Sequence, residues 1–295
     1  MSAYSVQSAN QRKTWLLIFF FVGLVTAIFL IIGAYYNQPF LPVLGLTLAS
    51  FQAIGGYFWG DKLALRIAGA KIVSDKNAPR IHFLVENLCK VADIPKPKIY
   101  ISPDPSANAF ACGRNPQKAS ICLNQGLLNL LNENELEGVI AHELAHIKNR
   151  DILVMTVTMV LASVISIVAD IGIRLTFFGW GGKDNNSSPR SPILVFLYIL
   201  IILLSPIIAM LIQMSVSRSR EYLADATAVV FTRYPEGLIN ALQKLYQNPV
   251  PSRHYSTAMS HFYISPPKKS WSENVAGLFS THPPIEKRIK ALKEM

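Results

Sequence analysis

The sequence predicts a mainly helical α+β protein in which four membrane-spanning helices carry a domain with a small β-sheet. Three observations carry that prediction. The 295-residue chain is 51% hydrophobic and only 16% charged, and its mean hydropathy is +0.31, values that do not suit a water-soluble globule. Four apolar runs account for the excess: Trp15 to Tyr36, Pro39 to Trp59, Ile152 to Phe178 and Ile193 to Val216. Outside them the hydrophobic period changes from helical to strand-like and back.

About 20 apolar residues cross a bilayer core as a helix. The first, third and fourth runs exceed that length. Pro42, Gly45, Gly55 and Gly56 interrupt the second, as membrane helices tolerate. Arg12 and Lys13 precede the first run as they would in a signal peptide. The run is longer than a signal core, however, and no small-x-small site follows it, so a retained anchor is expected. Lys62, Arg66 and Lys71 follow the second run, Lys148 and Arg150 precede the third, and Arg218 and Arg220 follow the fourth. The link Tyr36-Asn37-Gln38 has no Lys or Arg, and the stretch 179–192 has only Lys183 and Arg190. This asymmetry places both termini in the cytoplasm and sends two hairpins outward. The chain divides into residues 1–60, a first membrane hairpin; 61–151, the first part of the non-membrane domain; 152–216, a second hairpin; and 217–295, the second part of that domain.

In the first non-membrane part, Ala78 to Ala92 reads as an amphipathic helix with Ile81, Leu84, Val85 and Leu88 on one face. After Pro95 and Pro97, the segments Lys98 to Ile101, Asn108 to Cys112 and Ser120 to Leu123 read as strands, with Gly113 to Pro116 as a turn. An exposed edge of this sheet would suit pairing with an extended polypeptide. In the second part, Arg218 to Phe231 and Pro235 to Tyr246 read as helices, 248–270 as a loop holding His254 and His261, and a last helix starts near Thr281-His282-Pro283-Pro284.

Chemistry concentrates in Val139-Ile140-Ala141-His142-Glu143-Leu144-Ala145-His146. Asn132 and Asn134 offer caps and Glu133, Glu135 and Glu137 acidify the start of the helix that this segment continues. Residues i and i+4 share a helix face, so His142 and His146 can grip one zinc ion, with Glu143 placed to act as the base toward an activated water. A catalytic zinc takes three protein ligands and keeps one position open. Glu221, in Ser217-Arg218-Ser219-Arg220-Glu221, supplies the third. Asp225, one turn on, is placed to accept a hydrogen bond from the non-ligating nitrogen of a zinc-bound His and so fix the ring. Two antiparallel spans return the chain to the membrane face it left, so ligands before the third run and after the fourth can meet. The zinc helix is expected to run on into the third span. His254 and His261 are not needed, because three ligands are already assigned.

The net charge of +10 fits juxtamembrane lysines and arginines facing anionic lipid, and no nucleic-acid module is visible. Cys89, Cys112 and Cys122 are odd in number, lack a Cys-x-x-Cys spacing and fall in a segment placed in the cytoplasm, so free thiols are expected.

Together, Asn108-Ala109-Phe110-Ala111, the His142 segment extended to Ile147-Lys148-Asn149-Arg150-Asp151, the Glu221 segment, Ser280-Thr281-His282-Pro283-Pro284 and the four-run layout resemble the HtpX family of bacterial membrane-bound zinc metalloproteases, which is related to the CAAX prenyl proteases. The resemblance covers nearly the whole chain. It implies a zincin-like cytoplasmic catalytic domain and a multi-pass protein of the bacterial cytoplasmic (inner) membrane. It also implies one zinc ion per subunit and stress-linked cleavage of misfolded or damaged membrane proteins or unfolded polypeptide. His142, His146 and Glu221 become the zinc ligands, Glu143 the base and Asn108 a contact to the substrate backbone. His282 becomes a stabiliser of the developing oxyanion, and Arg288 fixes the last helix. The family commonly has Thr where this chain has Cys112. The expected partners are such substrates and the lipid bilayer, with no nucleic acid. Two rival readings are a CAAX-type prenyl-protein endopeptidase, which would want more spans, and a scaffold in which zinc serves only to hold the fold, which would want a fourth ligand.

Overall fold

The computed structural model describes residues 3–161, 218–252, 264 and 283–295. Its architecture is mainly helical with one small mixed sheet. Helices α1 (Ala3–Tyr36) and α2 (Leu41–Ile67) form an antiparallel hairpin turned at Asn37, which has φ 54°. Both are long and apolar enough to cross a membrane, over Ser8–Ala34 and Leu41–Ile67. Their outer faces expose Phe19 (70%) and Phe51 (73%), as lipid-facing surfaces would. Of the third run, the structure describes the start as helix α6 (Asp151–Leu161). The remainder of that run and the whole of the fourth lie outside the described residues.

Helix α6 is seated in the α1–α2 hairpin. Leu153, Val157 and Leu161 pack with Ile18, Phe21, Val25, Ala49 and Ala53. Gly60 on α2 permits this approach, because a Cβ there would lie 2.7 Å from Thr156 Cγ2.

The sheet joins β1 (Lys71–Ile72), β2 (Lys98–Ser102), β3 (Ala109–Gly113) and β4 (Ala119–Asn124) in the order β1-β2-β4-β3. The β2–β4 pair is parallel and the two outer pairs are antiparallel. The strands after Pro97 fall where alternation predicts them. The two-residue β1 is an addition, too short to leave a periodic trace. Alternation sends Ile99, Ala109, Ala111, Ile121 and Leu123 to one face, where they join the main core. Phe110, Cys112 and Cys122 go to the other face, onto Ala64, Leu65, Met155 and Met159. The sheet thus separates the helical domain from α2 and α6. All three cysteines are free and buried.

The helical side comprises α3 (Pro79–Ala92), the short α4 (Gln125–Leu130), α5 (Glu133–Lys148), α7 (Arg218–Thr232), α8 (Pro235–Gln247) and α9 (Ile285–Lys293). Helix α5 is the central one. A capping box starts it: Asn132 Oδ1 accepts from Glu135 N–H at 3.0 Å, and Glu135 Oε2 accepts from Asn132 N–H at 2.9 Å. Its midpoint meets the start of α8 at near backbone contact. A Cβ on Gly138 would lie 2.7 Å from Leu238 N, so only glycine admits this packing.

One expectation is overturned here. Helix α5 does not run on into the third span. It stops at Lys148, Arg150 takes a left-handed φ of 58°, and a separate helix begins at Asp151. A non-glycine residue in that conformation costs free energy, and what the break achieves is visible beside His146.

Candidate metal centre

Helix α5 presents His142 and His146 on one face, one turn apart, and α7 brings Glu221 against them. All three are buried, and one ligand atom from each lies within 4.8 Å of the other two. His142 Nε2 and His146 Nε2 are 3.2 Å apart. Glu221 Oε2 is 3.8 Å from His142 Nε2, and Glu221 Oε1 is 3.6 Å from His146 Nε2. In a tetrahedral site with ligand bonds of about 2.0–2.1 Å, neighbouring donor atoms stand roughly 3.3 Å apart. The three side chains already hold nearly that spacing.

The other ring nitrogens explain why only the Nε2 atoms face inward. His142 Nδ1–H donates to Asp225 Oδ1 at 2.9 Å, and His146 Nδ1–H donates to Asp151 Oδ2 at 3.1 Å. Both tautomers are thereby set with the Nε2 lone pairs turned toward each other and toward a carboxylate. Two lone pairs and an anion converge in a buried pocket, and that arrangement calls for a cation.

Without a metal, a proton serves. Burial works against charge on His146. The hydrogen bond that His146 donates to Asp151 and the charges of Glu221, Asp151 and Glu143 outweigh it and raise the pKa to about 9. His142 is shifted downward, first by burial and also by Arg288, against the pull of Asp225. The opposite shifts favour a proton on His146 over one on His142. Glu143 is pushed up to about 7, chiefly by burial and secondarily by Glu221, while His146 and the Ala111 N–H that bonds its carboxylate oppose the rise.

The structure places Asp225 behind His142 and adds what local sequence could not show. Arg288, from α9, is completely buried. Its Nε donates to Asp225 Oδ2 at 2.8 Å and its Nη2 to Asp225 Oδ1 at 2.6 Å. Burial raises the Asp225 pKa, but Arg288 and His142 win and hold it at about 2. Arg288 thus does more than fix the last helix: it locks the carboxylate that accepts from His142 Nδ1–H. Asp151 is the other residue that sequence reasoning missed. It stood in the extended stretch after His146, and the signal was the Asn149-Arg150-Asp151 run, which suits a break and a new helix start.

The sheet edge beside the zinc-motif helix is covered, where an exposed one is expected. Of the two edge strands, β1 is exposed, but β3, the one beside α5, has all 5 of its residues buried. Its outward N–H groups are engaged within the molecule: Ala109 with Asn108 Oδ1 at 2.9 Å, Ala111 with Glu143, and Gly113 with Thr156 Oγ1 at 3.2 Å. Buried edge donors need acceptors, and these supply them. Asn108 Oδ1 accepts a second bond, from Ile264 N–H at 2.9 Å, and Ile264 C=O accepts from Arg288 Nη1 at 3.3 Å. His254, His261 and His282 lie outside the described residues.

Comparison with known proteins places this geometry in context. The sequence model of peptidase family M48 matches residues 75–295. A Streptococcus uberis protein named protease HtpX homolog is 41% identical over 300 residues, covering 99% of each chain. One of the same name from Caldanaerobacter subterraneus is 39% identical over 297 residues, covering 99% of this chain and 97% of that one. The crystal structure of Ste24p from S. mikatae matches with a TM-score of 0.50 at 20% identity, over 98% of this chain and 67% of that one, a likeness of fold alone.

Proposed function

The chain belongs to peptidase family M48 and is a metalloprotease, and on that premise we propose that it is a membrane-embedded zinc endopeptidase cutting misfolded or damaged membrane proteins at the cytoplasmic face. The observation that carries this reading is the buried His142, His146 and Glu221 triad, whose donor atoms converge within 4.8 Å. Two imidazoles and a carboxylate suit zinc by ligand type, and three ligands leave a position for chemistry. The two candidate spans α1 and α2, the positive charges that flank the four apolar runs, and a sheet face packed on the membrane helices support a site held close to the bilayer by a four-span, multi-pass chain with a zincin-like domain.

His142 Nε2, His146 Nε2 and a Glu221 oxygen would hold the ion. When bound, zinc supplies Lewis acidity toward a peptide carbonyl and lowers the pKa of water. Glu143 follows His142 on the same helix. It takes the proton from the attacking water and returns it to the leaving amine. Asp225 and Asp151 hold the two rings still throughout.

The test is Glu143→Gln. Cleavage of a detergent-solubilised membrane-protein substrate is expected to fall by about 100- to 10,000-fold, with bound zinc unchanged by elemental analysis. Cleavage at the normal rate would refute the base assignment. Preferential cleavage of a soluble folded protein over a misfolded membrane protein would refute the substrate class.

A further inference from the structure

Helix α1 does more than anchor the chain. Near its start, and 141 positions away in sequence, Asn10 donates from Nδ2 to Asp151 Oδ1 at 2.7 Å. The same Nδ2 lies 3.1 Å from Asn149 O, so it also binds the backbone of the α5–α6 break. Arg220 Nη1, next in sequence to Glu221, reaches Asn10 Oδ1 at 3.5 Å and Asp151 Oδ1 at 3.7 Å. Asn10 is itself buried, at 6% exposure, and Asp151 at 1%. One amide therefore joins three elements behind the metal centre: α1, the break after His146, and the start of α7.

The chemistry of an amide suits the position. Asp151 has two oxygens. Oδ2 receives His146 Nδ1–H, and Oδ1 receives Asn10. A carboxylate with only one oxygen fixed can rotate, and the imidazole rotates with it. Asn10 fixes the second. Its oxygen simultaneously faces a guanidinium, which neither an aspartate beside Asp151 nor an aliphatic side chain would match without loss. The cost of the left-handed Arg150 fits the same logic, because the break is what aims Asp151 back at His146.

We propose that Asn10 is a positioning residue for the metal centre, acting through Asp151 on His146, so that the first membrane helix forms part of the zinc site. The proposal rests on the metal reading above, and metal binding by the unaltered protein tests that reading separately.

The experiment uses the full-length protein in detergent. Zinc affinity is measured by competition with a chromogenic chelator, and ligand geometry by the visible absorption of the cobalt-substituted protein. Outer partners of metal ligands are worth about 10- to 100-fold in affinity. Asn10→Ala is expected to weaken zinc by about tenfold, at the lower end of that range, and to shift the cobalt bands. Gln11→Ala, exposed on the same helix, should do neither. If Asn10→Ala only lowers the melting temperature while affinity and spectrum stay unchanged, Asn10 is merely structural and the proposal fails.

A swap covers the case in which Asn10→Ala does not fold. Asp151→Asn turns an amide toward the Asn10 amide. Adding Asn10→Asp restores a donor–acceptor pair of reversed polarity, and should recover part of the lost zinc affinity. A double variant that binds zinc no better than Asp151→Asn alone overturns the proposal. If the unaltered protein binds no zinc, the metal reading itself has failed, and the inference falls with it.

Discussion

Replacing Asp225 by Asn separates stability from metal binding. Three donors converge on the Asp225 carboxylate: Arg288 Nε, Arg288 Nη2 and His142 Nδ1. Its two oxygens serve all three. An asparagine keeps one oxygen, which can stay at the shared position between Arg288 Nη2 and His142. Its NH2 group then faces Arg288 Nε, donor against donor. A charge-assisted hydrogen bond is lost, worth about 1.5–3 kcal/mol, and a fully buried guanidinium loses its closest counter-charge, which costs about 3–5 kcal/mol when a buried pair is broken. The two figures describe one loss and do not add. Glu221 Oε2 remains 3.7 Å from Arg288 Nη1, a compensating attraction of roughly 4 kcal/mol in gross terms at an effective dielectric of 20. That residual partner puts the net cost at the lower end, about 3 kcal/mol. Zinc affinity should fall by about 10-fold or more, because His142 keeps a weaker acceptor. Denaturant unfolding of the metal-free protein measures the first quantity, and chelator competition the second. The decisive comparison is Asp225→Leu with Arg288→Met. Removing both charges should restore most of the stability, since apolar replacements of buried pairs are tolerated, while zinc affinity stays low because the acceptor for His142 is gone. If the double variant is as unstable as Asp225→Asn, the unpaired guanidinium is not the cause. If its zinc affinity returns with its stability, Asp225 does not orient the ligand.

Two further outcomes are expected. Zinc uptake at neutral pH should release the proton that His146 holds in the metal-free chain. The pKa is raised to about 9, so below that pH the metal competes with the proton and apparent affinity rises with pH, by up to about tenfold per unit, then flattens above it. Calorimetry in buffers of different ionisation enthalpy reads the proton, and an affinity independent of pH between 6 and 8 (about the range where His146 should be charged) would count against a proton on His146. Gly138→Ala should cost about 1–2 kcal/mol by chemical denaturation, because the added methyl meets the Leu238 backbone, which cannot yield as a side chain would. That loss stands after the roughly 1 kcal/mol that alanine gains over glycine in a helix. A stabilised Gly138→Ala protein would mean that α5 and α8 do not approach as closely as described.

The legible parts of the site share one property: they sit a helical turn apart. His142 and His146, and then Glu221 and Asp225, are pairs at i and i+4, and helical geometry converts that spacing into a shared face. The Asn132 cap and the strands after Pro97 were legible for the same reason, since local chemistry specifies them. What sequence could not show depends on long-range contact. Arg288 reaches Asp225 across 63 positions and Asn10 reaches Asp151 across 141. In the sequence, Arg220 belongs to a charge pattern that reads as topology, and Asn10 carries no pattern at all. The covered edge of β3 was missed for a related reason. Alternation identifies a strand, but not what lies beside it, and here Glu143 and Thr156 lie beside it.

Charge balance gives the deepest reason why this cluster wants a divalent ion. Four carboxylates, Glu143, Asp151, Glu221 and Asp225, and two guanidiniums, Arg220 and Arg288, are each no more than 6% exposed. With both imidazoles neutral, these six groups sum to a charge of −2 in a region where water screens poorly, and the half-buried Lys13 beside Asp151 and Arg220 is the next cation. A proton on His146 cancels one, which is why that ring is held charged up to about 9. The other is relieved when Glu143 takes up a proton, and burial has already moved it to about 7. A doubly charged cation cancels both at once. On the proposed reading it would also free His146 Nε2 to act as a ligand and favour the ionised form of Glu143. On that reading, the same burial that raises the pKa of Glu143 and the same anions that raise that of His146 would couple metal binding to ionisation of Glu143.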